Sequence, residues 1–146
     1  MGQTIEAERI VLKDKNGQAR GIFGLKPDGS PQLALIGNTG QVRIAMMMSD
    51  DDEPRLVLSG PTGERRAEIT VLENGVSTLN LYDHEGRTRG TFHIFHDGTP
   101  KLAMVDRRGN IRGVMCLFED GDPSVKLYDE QRKPVFEAPE PDDFIP

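Results

Sequence analysis

The sequence predicts an all-β fold: tandem 23-residue β-hairpin repeats forming an antiparallel up-and-down meander of about eleven strands. Three observations predict it. Gly17, Gly40, Gly63, Gly86 and Gly109 recur at intervals of 23 residues, and three residues after each stand Arg20, Arg43, Arg66, Arg89 and Arg112. Within each period apolar residues alternate with variable ones, the two-residue rhythm of half-buried strands. Gly (16) and Pro (10) together make 26 of 146 residues, whereas aromatics are 5% and Trp is absent, so turns are frequent and large packing anchors few.

Each unit opens with a strand carrying two apolar residues at alternate positions. These are Ile10 and Leu12, Leu33 and Leu35, Leu56 and Leu58, Leu79 and Leu81, Leu102 and Met104, then Val125 and Leu127. The strand runs into a turn such as Asp14-Lys15-Asn16-Gly17, Asp83-His84-Glu85-Gly86 or Asp106-Arg107-Arg108-Gly109. Asp at the turn entry accepts backbone N–H bonds, and Gly supplies the left-handed φ that closes a type I turn into a hairpin.

A second strand follows the arginine, with Phe23 and Leu25, Met46 and Met48, Ile69 and Val71, Phe92 and Ile94, and Met115 and Leu117 at equivalent places. It ends at Asp28-Gly29, Asn74-Gly75, Asp97-Gly98 or Asp120-Gly121, another hairpin signal. Pro31, Pro54, Pro100 and Pro123 share the next position, which Ser77 interrupts. The units fall near 10–31, 32–54, 55–77, 78–100 and 101–123, with a partial sixth at 124–135. They form a single hairpin-repeat domain over 1–135, followed by an acidic, Pro-rich C-terminal tail over 136–146.

Both links in a unit are too short for a parallel crossover, which favours the meander. A three-residue loop after Asp14 would set Phe23 and Leu25 on the opposite face from Ile10 and Leu12. A four-residue loop, or a bulge at Gly21, Ala67, Gly90 and Gly113, restores one apolar face, and restoration is the expectation. The rival architecture is a β-solenoid, which would stack the five arginines at roughly 4.8 Å.

The 23-residue hairpin unit, with a Tyr-initiated strand segment at Tyr82 and Tyr128 and an Asp-Gly turn, resembles the MORN repeat. Tyr82-Asp83-His84-Glu85-Gly86-Arg87 is also similar to the YD unit of RHS-type repeats. The resemblance covers Ile10 to about Val135 in period, while the MORN Gly-x-Gly pair and strand Trp are missing. It implies a strip of successive hairpins used as scaffold, shell or binding surface rather than as a catalyst.

Four apolar positions per unit would give the sheet one greasy side, and a buried Leu-sized side chain contributes about 1.5–3 kcal/mol, so that side needs a cover. No segment has helical spacing to supply one, and a barrel of about eleven strands would be too wide for these side chains to fill. A homo-oligomer of two or three strips packed through their apolar faces is the expected solution, with a strip curled on itself as the monomeric alternative. A binding module is the second expectation, its open sheet face or Arg row taking a peptide, a protein, a polysaccharide or an acidic ligand.

The polar residues carry little chemistry. Each repeated Arg has a turn Asp to pair with, as Asp83 with Arg89, but Gly37 and Gly60 replace the Asp in two units. Arg43 and Arg66 are therefore the candidate contacts for a ligand or partner, together with Phe144 and Ile145 if the tail docks. His93 and His96 are three apart on a strand and fall on opposite faces, unlike a metal pair. Asp50-Asp51-Asp52-Glu53 lacks the spaced ligands of a calcium loop and is expected to be a solvated turn. Met46 and Met48 occupy core positions, leaving only Met47 surplus. No nucleophile–base pair, phosphate loop or cofactor motif stands out, so a non-catalytic protein is expected.

With 18 Lys+Arg against 24 Asp+Glu the net charge is −6, which argues against nucleic acid as a partner. No apolar run reaches the ~18 residues of a membrane span, and no basic-then-apolar signal opens the chain. A lone Cys116 excludes an internal disulfide, and a cytoplasmic location is the expectation.

Overall fold

The computed structural model describes residues 4–139 and shows an all-β chain with no helix among them. Twelve strands follow one another: β1 (Arg9–Lys13), β2 (Ala19–Leu25), β3 (Pro31–Ile36), β4 (Val42–Met48), β5 (Pro54–Ser59), β6 (Arg65–Val71), β7 (Ser77–Tyr82), β8 (Thr88–Ile94), β9 (Pro100–Val105), β10 (Ile111–Leu117), β11 (Pro123–Tyr128) and β12 (Pro134–Ala138). They form one antiparallel sheet in sequence order, open at β1 and β12. The meander is thus the architecture, and the parallel solenoid is not. The twelfth strand exceeds the expected eleven, because β12 completes a sixth hairpin where the sequence pattern fades.

Both kinds of turn are built alike. The Asp14 N–H donates to the Gln18 carbonyl (2.9 Å) and the Gly17 N–H to the Asp14 carbonyl (3.0 Å), closing a three-residue loop. Asp14 Oδ1 accepts from the N–H groups of Asn16 (2.9 Å) and Gln18 (3.0 Å), and Asp83, Asp106 and Asp129 do the same in their units. Where Gly60 replaces the Asp, the Glu64 carboxylate folds into the vacant space: a Cβ on Gly60 would lie 1.7 Å from Glu64 Oε1. Glu64 Oε2 then accepts the Thr62 N–H at 3.1 Å. Gly17 has φ +79°, and at the sixth equivalent position Arg132 adopts φ +64°.

One apolar face is restored by a bulge, as expected, but at a different residue. Leu58 pairs with Ala67 and Ser59 with Arg65, so Arg66 is the inserted residue. The same skip falls at Arg20, Arg43, Arg89 and Arg112, and at Val135 in the last unit. The correction moves the bulge one residue upstream of Gly21, Ala67, Gly90 and Gly113. Two of those small residues sit instead beneath their neighbours: a Cβ on Gly113 would meet Met104 Cε at 2.5 Å, and one on Gly21 would meet Leu12 Cδ1 at 3.2 Å.

Residues directly opposite in a ladder share a face. Ile10, Phe23, Leu33, Met46, Leu56, Ile69, Leu79, Phe92, Leu102, Met115 and Val125 are opposite one another in succession and make one apolar row along the midline. Among the described residues no second layer covers it, since each strand contacts only its neighbours in sequence. Burial therefore runs against hydrophobicity. Phe23 is 58% exposed and Met115 54%, whereas the buried residues are small ones such as Ala34 (3%), Ala45, Thr70, Thr78 and Ser124 on the other face. No large side chain among the described residues is fully buried.

Candidate functional site

Three apolar rows cross the strands of the exposed face. The midline row is flanked on the first-turn side by Leu12, Leu35, Leu58, Leu81, Met104 and Leu127, alternating with Gly21, Ile44, Ala67, Gly90 and Gly113. On the other side Leu25, Met48, Val71, Ile94 and Leu117 alternate with Pro31, Pro54, Ser77, Pro100 and Pro123. Between midline and Pro row lie two open grooves of about 490 Å³ each. One is floored by Phe23, Leu33, Met46 and Ile69, the other by Phe92, Leu102, Met115 and Val125. Met46 and Met48 stand on this face and Met47 on the other, opposite Gln32 and Arg55.

The face leaves the chain with an unusual surface. Its accessible area is 10638 Å² at 16.2 kDa, where a compact monomer of that mass exposes about 7,500 Å². The ten residues outside 4–139, even fully extended, could supply only about 1,600 Å² of the excess. The remainder is the uncovered sheet.

The arginines form a second regular feature, and their main partner was not legible in the sequence. The last β4–β5 pair is Ile44–Leu58, and beyond it the Arg43 Nε–H donates to the Ser59 carbonyl at 2.8 Å. Arg66 does the same to Tyr82 (3.2 Å), Arg89 to Val105 (2.7 Å) and Arg112 to Tyr128 (2.8 Å), always sixteen residues ahead. Each of these arginines thus ties its own unit to the next. The expected pairing with the turn Asp is also present, Arg89 Nη1 lying 3.6 Å from Asp83 and Arg112 Nη1 3.4 Å from Asp106. Arg66 instead reaches Glu64, at 3.9 Å.

Hydrogen bonding sets the charge state of these turns. Burial alone would raise the Asp83 carboxyl, but the Arg87 side chain and the N–H groups of Arg87 and Glu85 hold it at about 2. At Asp106 the Asn110 N–H leads the groups that lower the carboxyl.

The opposite face holds a network that sequence reasoning missed. Arg55 Nη2 donates to Glu53 Oε2 (2.8 Å), and Glu53 Oε1 accepts the Glu73 N–H (3.3 Å), so the acidic turn is anchored at Glu53 although Asp50 is exposed. The Arg55 hydrogen bond holds the Glu53 carboxyl below its usual range. Glu68, buried among strands, accepts from Thr70 Oγ1 (3.1 Å) and lies 2.7 Å from Arg65 Nη1, an ion-pair contact without hydrogen-bond alignment. The signal was a broken column: Glu68 stands where the other units have Ile22, Ala45, Thr91 and Val114.

His93 faces this same side and stacks on Phe95 at 5.7 Å, while His96 lies in the turn after β8. Cys116, opposite Lys101 and Ser124, is free and half-buried. Among the described residues no three His, Cys, Asp or Glu gather as metal ligands, and no helix is long and apolar enough to cross a membrane. Phe144 and Ile145 lie outside the described residues.

By fold the chain is a tandem β-hairpin ribbon with one uncovered apolar face. No protein-family model matches it, and no similar sequence was found among curated proteins.

Proposed function

We propose that this chain is a non-catalytic structural or assembly module that self-associates through the apolar face of its hairpin sheet. One observation carries the reading: the regular apolar rows of that face stay exposed in the single chain. Twelve strands at ~4.8 Å and a width of roughly 20 Å make a face of about 1,150 Å². That exceeds the ~800 Å² per partner of a standard stable interface. The even spacing of the units supports a second copy as the cover, because only a surface with the same period can match every row along the length. A cytoplasmic location accords with the single free thiol, Cys116.

Light scattering on the purified chain tests the reading. A mass that is a multiple of 16.2 kDa is expected, and Met46→Lys, which places a charge on the midline, should shift it toward the single chain. A stable single chain across the micromolar range would overturn self-association.

A second reading, a binding module for a foreign peptide, is favoured by the Met-floored groove, since Met adapts to irregular apolar partners. It requires a monomer that takes up apolar peptide. Arg43 and Arg66 are weaker ligand contacts under either reading, because both are engaged with backbone carbonyls.

A further inference from the structure

We infer that the self-association is three-fold: three ribbons run parallel around one axis, each forming a wall of a triangular prism with its midline row pointing inward. The inference rests on the assembly reading above and adds the number and direction of the copies.

The observation behind it is how side-chain size varies across the width of the face. Through β11 the midline row is large at every strand, from Ile10 and Phe23 to Met115 and Val125. Neither flank is. On the first-turn side Gly21, Ala67, Gly90 and Gly113 interrupt the row, Ile44 being the one large residue at that position, and Leu12 and Met104 reach over Gly21 and Gly113. On the other side the short, stiff Pro31, Pro54, Pro100 and Pro123 and the small Ser77 do so. The apolar layer is therefore thick along the centre and thin at both margins.

A two-sheet sandwich encloses a slab of nearly constant thickness, ~10 Å between sheets, and would leave voids over such margins. A triangular prism encloses a space highest over the middle of each wall and vanishing at the corners. Strands of six to seven residues give walls roughly 20 Å wide, which places the axis about 6 Å from each wall, close to the ~5 Å depth of one side-chain layer. The midline residues then fill the centre, and the Gly and Pro positions let adjacent walls meet. A closed cyclic arrangement makes all three ribbons parallel and brings each midline residue level with its copies.

Light scattering on the full chain should give three times 16.2 kDa. Co-refolding with a tagged copy should give four species on a native gel, carrying zero to three tags. Twice the chain mass, or three species, would overturn the three-fold arrangement while leaving self-association standing; the single-chain mass would overturn both.

Gly90→Val tests the taper itself. One ribbon has room for it, since a Cβ there meets nothing nearer than 3.9 Å. At a prism corner the added bulk should weaken assembly by about tenfold or more in concentration, the cost of overpacking. Unchanged or tighter assembly would overturn the prism.

Discussion

Arg43 and its equivalents show how much one side chain decides in this ribbon. Arg43, Arg66, Arg89 and Arg112 each bond a carbonyl of the next unit from the bulge, and a charge-assisted bond to a carbonyl is worth more than a neutral one. Arg112→Ala should therefore cost about 1–2 kcal/mol in denaturant unfolding at fixed protein concentration. Arg112→Lys should recover little of it, because the Nε–H is lost. No change in stability would return the arginines to a ligand-binding role. The turn carboxylates add a pH dependence. An unfolded Asp titrates near 3.9 and Asp83 is held at about 2, so its stabilisation is complete above about pH 4 and lost as the pH falls toward 2. Asp83→Asn should flatten the acid limb of a thermal-melt series in that window. At Arg132 the φ of +64° is unfavourable for a residue with a Cβ, so Arg132→Gly should stabilise by about 1 kcal/mol in thermal unfolding.

At the level of the hairpin, much was legible because the repeat exposes it. Seven turns with an Asp or Asn could be placed from the Gly pattern, and the parity of Ile10, Leu12, Phe23 and Leu25 required an irregularity somewhere. Its position was not legible. Parity is satisfied equally by an extra residue at Arg66 or at Ala67, and the small size of Ala67, Gly90 and Gly113 pointed to the wrong one. The smallness of Gly21 and Gly113 answers to the Leu12 and Met104 side chains on adjacent strands, a relation visible only once the strands are paired. The sixth hairpin was obscured because Arg132 and Val135 replace its Gly and Arg. The Glu68–Arg65 contact was hidden because residues three apart on a strand fall on opposite faces unless a bulge lies between them, and the bulge at Arg66 was not legible. A deletion series separates register from composition. Deleting Arg66 alone should keep Ala67, Ile69 and Val71 on the apolar face, because Leu58 already pairs with Ala67 and Ser59 with Arg65, and should cost in denaturant unfolding no more than the bond to the Tyr82 carbonyl. Deleting residues 55–77 as a block should leave a shorter, folded β protein by circular dichroism.

For the whole molecule, the governing fact is a sheet with two faces and one layer. The buried hydrophobic residues of the single chain are Ala34, Ala45, Val76 and Ala103, too few and too small to offset the conformational entropy of ordering a chain of this length. Self-association and stability should therefore be one transition, with the melting temperature rising with protein concentration, as differential scanning fluorimetry over a hundredfold dilution can check. The sequence announced the apolar rows but not their taper, because which rows are central and which marginal follows from register, and register depends on the bulge.

The uninterrupted spacing of the units has a consequence for size. Among the described residues every hairpin touches only the hairpins before and after it, so gene duplication by one unit would lengthen the object by two strands, about 10 Å, with no side-to-side contact altered. Span becomes a quantity written directly into the number of copies, and the chain can serve as a ruler whose graduations are its turns.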